Sequence, residues 1–302
     1  MTSPRSAKFS LYADDLKLYR TVKSVRDCNA LQGDIATFQL WCEANELELN
    51  VGKCNVMSLF RKREPIIYSY QVGEFALRRV REHRDLGVII TENLCFNKHI
   101  SVIVSKACGM LVFFKRICKG FRNVNALKSV YCAHVRSHLE YASTVWFPYQ
   151  GEQSLKIESI QKKFVMYAMR RSVRRDENFR LPPYVDRCSS IGLELLSRRR
   201  FNQCALFVFD LIKNKIDARN IVDHLNISVP LRTLRNHNYI RLDQHRTNYG
   251  LFEPITNISR IFNRFLLLLE INDLDAVPRY SFRSAVRSLV LPSHNMSLYY
   301  SL

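Results

Sequence analysis

Two short runs of alternating apolar residues flank a pair of adjacent carboxylates near the N-terminus. Phe9 and Leu11 precede the pair, and two leucines follow it at the same spacing. Because side chains alternate between the faces of a strand, this pattern predicts a β-hairpin with Asp14 and Asp15 at or beside its turn. Carboxylates at a hairpin tip can hold a hard cation such as Mg²⁺, but an Asp-Asp pair is also ordinary turn chemistry.

The apolar period lengthens to that of a helix after the hairpin. Apolar residues recur at spacings of three and four: Cys28, Leu31, Ile35, Phe38 and Cys42. Trp41 widens this stripe, which predicts an amphipathic helix ending near Asn45. Alternating runs then predict strands at residues 54–60, 66–72 and 86–90. We expect an α+β layer in which the helix lies on an antiparallel sheet.

The pattern becomes helical again near Asn97 and stays so. Predicted helices follow at residues 97–118, 124–141, 154–171, from the prolines at 182–183, and at 195–216, 258–271 and 282–291. The change of period places a domain boundary near residue 96.

Positive charge is concentrated in the middle of the chain. The net charge is +19, and residues 101–200 carry 19 Lys and Arg against 7 Asp and Glu. Clustering of this kind points to a polyanion, of which nucleic acid is the usual example, whereas solubility alone does not call for it.

The cysteines and the apolar runs indicate the compartment. Nine cysteines are scattered without a Cys-x-x-Cys pair, so neither a disulfide framework nor a zinc site is indicated and a reducing environment fits best. There is no apolar signal core, and the longest apolar runs are too short to span a bilayer. We expect a protein of the nucleus or cytoplasm, neither secreted nor membrane-bound.

The order of the motifs carries a family resemblance. Along the chain stand Tyr12-Ala13-Asp14-Asp15, then Trp41, Asn45, Leu49-Asn50 and Lys53, then Leu86-Gly87-Val88, then Phe96 and His99-Ile100. This order resembles the reverse transcriptase, an RNA-directed DNA polymerase, of jockey-like non-LTR retrotransposons. The first motif looks like its catalytic hairpin, the second like its next palm motif, and the last two like its primer grip and the entry into its thumb.

The resemblance continues downstream and implies an architecture. Residues 131–146 and 181–199 are similar to the region after the palm in the same elements. The implied fold is α+β: a partial polymerase palm of antiparallel hairpins and a helix at 1–96, a thumb-like basic helical region at 97–180, and a helical C-terminal region at 181–302.

The resemblance also implies chemistry at the hairpin. Such enzymes use two Mg²⁺ ions to transfer a nucleotide from a dNTP to a primer 3′-hydroxyl on an RNA template. Asp14 would be the principal metal ligand and Asp15 a weaker one. Lys53 would lie near the triphosphate, although it is equally explained as a surface lysine. Tyr12 would pack near the primer end or be a buried structural tyrosine.

One departure from the family bears on activity. The complete enzyme needs a further aspartate from an earlier palm strand, and fingers that bind template and nucleotide. Only ten residues precede Leu11, so we expect a C-terminal portion of the polymerase without activity in isolation.

The basic helices suggest the remaining function. A polymerase thumb holds the template–primer duplex by its backbone, and ten cations suit phosphate contacts: Lys106, Lys115, Arg116, Lys119, Lys162, Lys163, Arg170, Arg171, Arg174 and Arg175. The other explanation is a solvated helix face. Two hypotheses remain open, a portion of a Mg²⁺-dependent polymerase and a non-catalytic nucleic-acid-binding remnant of a mobile element.

Overall fold

The computed structural model describes residues 7–60, 65–172, 182–228, 238–271 and 273–289. The chain is a mixed α and β protein that divides into two compact units, residues 1–96 and 97–302. Within the described ranges, no helix combines the length and apolarity needed to cross a bilayer.

The described residues of the first unit form one long helix and eight short strands. The strands are β1 (Lys8–Tyr12), β2 (Asp15–Tyr19), β3 (Asn55–Val56), β4 (Gln71–Val72), β5 (Phe75–Ala76), β6 (Arg78–Arg79), β7 (Glu82–Asp85) and β8 (Val88–Thr91). Helix α1 (Val25–Ala44) begins in a capping box formed by Ser24 and Asp27 and ends at Asn45, as the sequence predicts. A 3-10 turn follows at Val51–Lys53.

The predicted antiparallel sheet is wrong in extent and in part of its direction. The described strands form four separate pairs, of which β3–β6 is parallel and the other three are antiparallel. Side chains form hydrogen bonds with backbone groups that would pair with neighbouring strands in a larger sheet. The Gln32 amide bonds both the N–H and the C=O of Gln71, and the Arg79 guanidinium donates to the Tyr68 carbonyl. Strands that satisfy their backbone in this way stop after two residues.

The second unit is helical. Its helices are α2 (Asn97–Ile117), α3 (Val124–Tyr131), α4 (Ser137–Glu140), α5 (Gly151–Ser172), α6 (Tyr184–Ile191), α7 (Leu196–Ile212), α8 (Arg219–Val222), α9 (Asn248–Leu251), α10 (Pro254–Leu268) and α11 (Arg279–Ser288). A π-helical segment, Cys132–Arg136, joins α3 to α4, so the predicted helix at 124–141 is continuous but locally widened.

Aromatic side chains fill the interior of this unit. Tyr131 of α3 stacks on Phe164 of α5 with ring centroids 3.9 Å apart, and Phe114 of α2 meets Phe164 edge-on. In the C-terminal part, Phe209 of α7 stacks on Phe282 of α11 at 4.4 Å. Such pairs add to the burial of apolar area. The inward face of α2 is apolar, with Ile103, Ala107, Leu111 and Phe114 all buried.

Two glycines are expected to respond in opposite ways to alanine. A Cβ on Gly250 would lie 2.8 Å from the Cβ of His245, which a ring rotation cannot relieve, so Gly250→Ala is expected to cost about 1–3 kcal/mol. Gly109 lies in α2, and no atom lies within 4 Å of the position that an added methyl group would take. Gly109→Ala should therefore gain about 0.5–1 kcal/mol. Urea unfolding of both variants checks the pair, and equal effects would contradict the packing at Gly250.

Candidate functional site

The carboxylate hairpin forms as the alternation predicts. β1 and β2 pair in antiparallel register, with Leu11 opposite Leu16 and Tyr12 opposite Asp15. Ala13 and Asp14 form the two-residue turn, and Asp15 begins β2. Ala13 has a φ of 49°, in the left-handed region that favours glycine. A strained backbone next to the two carboxylates is the kind of feature found at functional sites.

The hairpin is open to its surroundings. Asp14 and Asp15 are exposed, and so is every residue of β1. Tyr12 is 63% exposed, which rules out the prediction that it is a buried structural tyrosine. In the described part of the chain β1 pairs only with β2, so its outer edge keeps unpaired backbone groups.

An ion pair connects this hairpin to the one formed by β7 and β8. Lys17 of β2 lies 2.5 Å from the carboxylate of Asp85, the last residue of β7. Asp85 stands directly before the Leu86-Gly87-Val88 motif, which turns with positive φ at Leu86 and Gly87. The structure therefore brings together two of the motifs on which the family resemblance rests.

Lys53 stands apart from the carboxylates. It ends the 3-10 turn, its side chain is exposed, and no hydrogen bond or ion pair between described residues joins it to Asp14 or Asp15. An open cleft of about 790 Å³ lies beside this turn; it is lined by residues 48–52 and Cys54 on one side and by the β5–β6 segment on the other, and Lys53 does not line it. Arg78 contributes the cleft's cation, which the motif comparison did not single out.

The residues at the hairpin tip do not by themselves complete a metal site. Asp14 and Asp15 offer oxygen ligands of the type that Mg²⁺ prefers. Among the residues that the structure describes, however, no group of three or more His, Cys, Asp or Glu side chains is close enough to share an ion. Two exposed carboxylates leave most of an octahedral coordination shell to water or to substrate phosphates.

The basic residues of the second unit lie on the outside of two helices. Lys106 and Arg116 of α2 are exposed, as are Lys162, Lys163 and Arg170 of α5. Lys119, in the 3-10 turn after α2, is also exposed, while Lys115 and Arg171 are half-buried. Arg174 and Arg175 lie outside the described residues.

These eight described cations lack acidic partners. None of them forms an ion pair with a carboxylate in the described ranges, whereas Lys156, Arg199, Lys213 and Arg279 all do. The sequence explains part of this, since residues 93–139 contain no Asp or Glu at all. An uncompensated basic surface of this kind attracts a polyanion.

The acid closest along α5 to Lys162 is engaged elsewhere. Glu158 is buried, and its carboxylate accepts from the Tyr184 hydroxyl at 2.6 Å and from the backbone N–H groups of Leu196 and Ser197. It thus caps the N-terminus of α7. Burial, reinforced by the charge of Glu158, raises the pKa of Tyr184 far above its usual value, so the hydroxyl remains a donor. Lys162, one turn further on, keeps its charge unneutralised.

Three of the cations lie over two tyrosine rings, on different sides of α5. Lys115 and Arg171 both lie over the ring of Tyr167, at 5.6 and 5.4 Å from its centroid. Lys162 lies instead over Tyr184 of α6 at 5.3 Å. Nine residues separate Lys162 from Arg171, about half a turn around the helix, so the two cannot share one face. The basic residues that the sequence grouped together form two separate surfaces.

Sequence reasoning did not identify the tyrosines or the second surface. Arg187 also lies over Tyr184, at 6.0 Å, and joins Lys162 there. The signal available was the Tyr-x-x-x-Arg spacing of Tyr167 and Arg171, which places a cation one helical turn from a ring. The pairing of Lys162 with Tyr184 spans two helices and has no local pattern.

Comparisons with protein-family models, curated proteins and solved structures found no match to this chain.

Proposed function

We propose that the basic residues of α2, α5 and the turn after α2 bind the phosphate backbone of nucleic acid, as the thumb-like part of an RNA-directed DNA polymerase related to jockey-like non-LTR retrotransposons. One observation carries the proposal: eight described cations lack carboxylate partners, while the acids nearby pair with other groups. Solubility alone does not require a group of cations without carboxylate partners, whereas binding to a phosphate backbone does.

The hairpin supports the polymerase part of the proposal. Its register places Asp14 in the turn and Asp15 at the start of β2, both exposed beside the strained Ala13. The ion pair from Lys17 to Asp85 joins it to the second hairpin motif. The partners in this function are an RNA template, a DNA primer, a dNTP and Mg²⁺, and residues 1–96 would be palm.

A second candidate is a nucleic-acid-binding protein without catalysis. The hairpin favours it, because the described residues bring only two carboxylates to the tip and no further acid joins them. On that ground we assign no chemical step to Asp14, Asp15 or Lys53.

Nucleic-acid binding is tested by its dependence on salt. Filter binding of the whole chain to an RNA–DNA duplex between about 50 and 200 mM salt should show log K falling linearly with log salt, because each phosphate contact releases counterions. A slope near zero, or no binding at low salt, would sink the proposal.

Primer extension tests whether this chain catalyses nucleotide transfer by itself. With Mg²⁺, a dNTP and a primed RNA template, we expect no incorporation by this chain alone, because two exposed carboxylates leave the metal poorly held. Incorporation that disappears in Asp14→Asn would overturn the non-catalytic candidate. Incorporation that persists in Asp14→Asn would come from a contaminating polymerase and would leave our expectation standing.

A further inference from the structure

Three large apolar side chains are exposed in succession at the C-terminal end of α2. Phe113 and Ile117 are 56% and 59% exposed, and Phe121, which follows the 3-10 turn Cys118–Gly120, is 51% exposed. Phe113 and Ile117 are four residues apart, so they are neighbours on one helix face. We call these three residues the α2 stripe.

The α2 stripe is not an exposed edge of the face by which α2 packs into the core. The inward face of α2 is separate and complete, with Leu111, Phe114 and Cys118 all buried. Single exposed apolar residues are common, but three large ones so close along the chain, two of them neighbours on one helix face, are typical of a binding surface.

The charges around the α2 stripe indicate what covers it. Lys106 lies two turns before Phe113 on the same side of α2, and Arg116 lies three residues after Phe113. Lys119 and Arg122 flank Phe121 in the sequence. None of these four cations forms an ion pair with a carboxylate in the described ranges. The neighbouring sequence, residues 93–139, has no acid to offer.

A ligand for this surface must present flat apolar faces and negative charge together. A purely apolar partner helix would leave the four cations facing an uncharged surface. A base-paired duplex offers phosphates but keeps its bases stacked inside. A single strand offers both, since every unpaired base has a π-face that stacks on an aromatic ring while its phosphate meets a cation.

We infer that the α2 stripe binds unpaired nucleotides, with Phe113 and Phe121 as stacking surfaces for bases and the flanking cations as phosphate contacts. This rests on the proposed function and adds to it that the strand is held by its bases as well as by its backbone. Ile117 lies between the two phenylalanines in the sequence and is exposed as they are.

Binding of the whole chain to two probes tests the inference. The probes are a fluorescent oligothymidylate about 20 nucleotides long and an abasic oligonucleotide with the same number of phosphates. In the Phe113→Ala/Phe121→Ala variant, affinity for oligothymidylate should fall about tenfold for each ring lost, while affinity for the abasic strand stays within about twofold of wild type. Phe113→Tyr/Phe121→Tyr should restore it, because tyrosine keeps the stacking face.

A control is Tyr280→Ala, which removes an even more exposed aromatic side chain from α11 and should change neither affinity. Circular dichroism checks that each variant is folded, which the exposure of these side chains favours.

The outcomes separate this inference from the proposed function. If wild type binds both probes but the double alanine variant binds them as wild type does, the α2 stripe does not stack bases and the inference fails alone. The same result with altered sedimentation would assign the stripe to an apolar protein contact instead. If wild type binds neither probe at low salt but still binds the RNA–DNA duplex, the inference fails alone. If it binds none of the three, the proposed function fails and the inference with it.

Discussion

Lys163→Gln/Arg170→Gln is expected to weaken nucleic-acid binding about tenfold near physiological salt, without loss of stability. Both residues are exposed on one side of α5 and have no carboxylate partner in the described ranges. Each phosphate contact contributes about 0.7 to 0.9 to the slope of log K against log salt. Removing two contacts should therefore reduce that slope by about 1.5. Filter binding of the variant and wild type across a salt series measures both quantities.

Compensated lysines supply the control for this experiment. Lys156→Gln/Lys213→Gln removes the same charge, but Lys156 already pairs with Glu152 at 2.7 Å and Lys213 with Asp275 at 2.9 Å. Its effect on the slope should be below about 0.5, because those charges are already neutralised locally. Equal slopes for the two double variants would mean that binding follows net charge alone, and the assigned surface would be wrong.

Glu158→Ala is expected to be the most destabilising single change, at about 3–5 kcal/mol. The substitution leaves the buried Leu196 N–H and the half-buried Ser197 N–H and Tyr184 hydroxyl without their acceptor, and an unsatisfied buried donor costs about 1–3 kcal/mol. It also removes the cap of α7, the helix that carries Phe201 and Phe209 into the core. Urea unfolding followed by circular dichroism gives the free energy directly.

An exposed glutamate six residues earlier provides the comparison. Glu152→Ala breaks only the surface pair with Lys156, so a loss below about 0.5 kcal/mol is expected. Glu158→Gln should fall between the two, because an amide oxygen can still accept from the backbone while its charge is gone. If Glu158→Ala unfolds at the same urea concentration as wild type, the carboxylate does not cap α7.

Much of the fold follows from local periodicity. Alternation of Phe9 and Leu11 against two leucines predicted a hairpin, and the observed register has Asp14 in its turn and Asp15 at the start of β2. Spacings of three and four predicted α1, α2 and α5 to within a few residues, because a helix is built from contacts only one turn apart. The strands at 54–60 and 66–72 were predicted too long, since their backbone partners are side chains distant in sequence.

The sequence predicted which residues belong to the candidate site but not which partners surround them. The basic residues of α2 and α5 can be read from the sequence, as can the two carboxylates at the hairpin. Their surroundings cannot, because Glu158 is taken up by Tyr184 and by the start of α7, and these contacts span 26 and 38 positions. Whether a nearby acid neutralises a lysine depends on such distant partners.

The sequence by itself determined the hairpin with Asp14 and Asp15, the helical period and the excess of positive charge, all of which depend on neighbours in the chain. Only the tertiary structure decided that Tyr12 is exposed, that Lys162 lies over the ring of Tyr184 in another helix, and that the eight described candidate cations lack carboxylate partners. The physical reason is that burial and ion pairing are set by residues far apart in sequence, which no local pattern records.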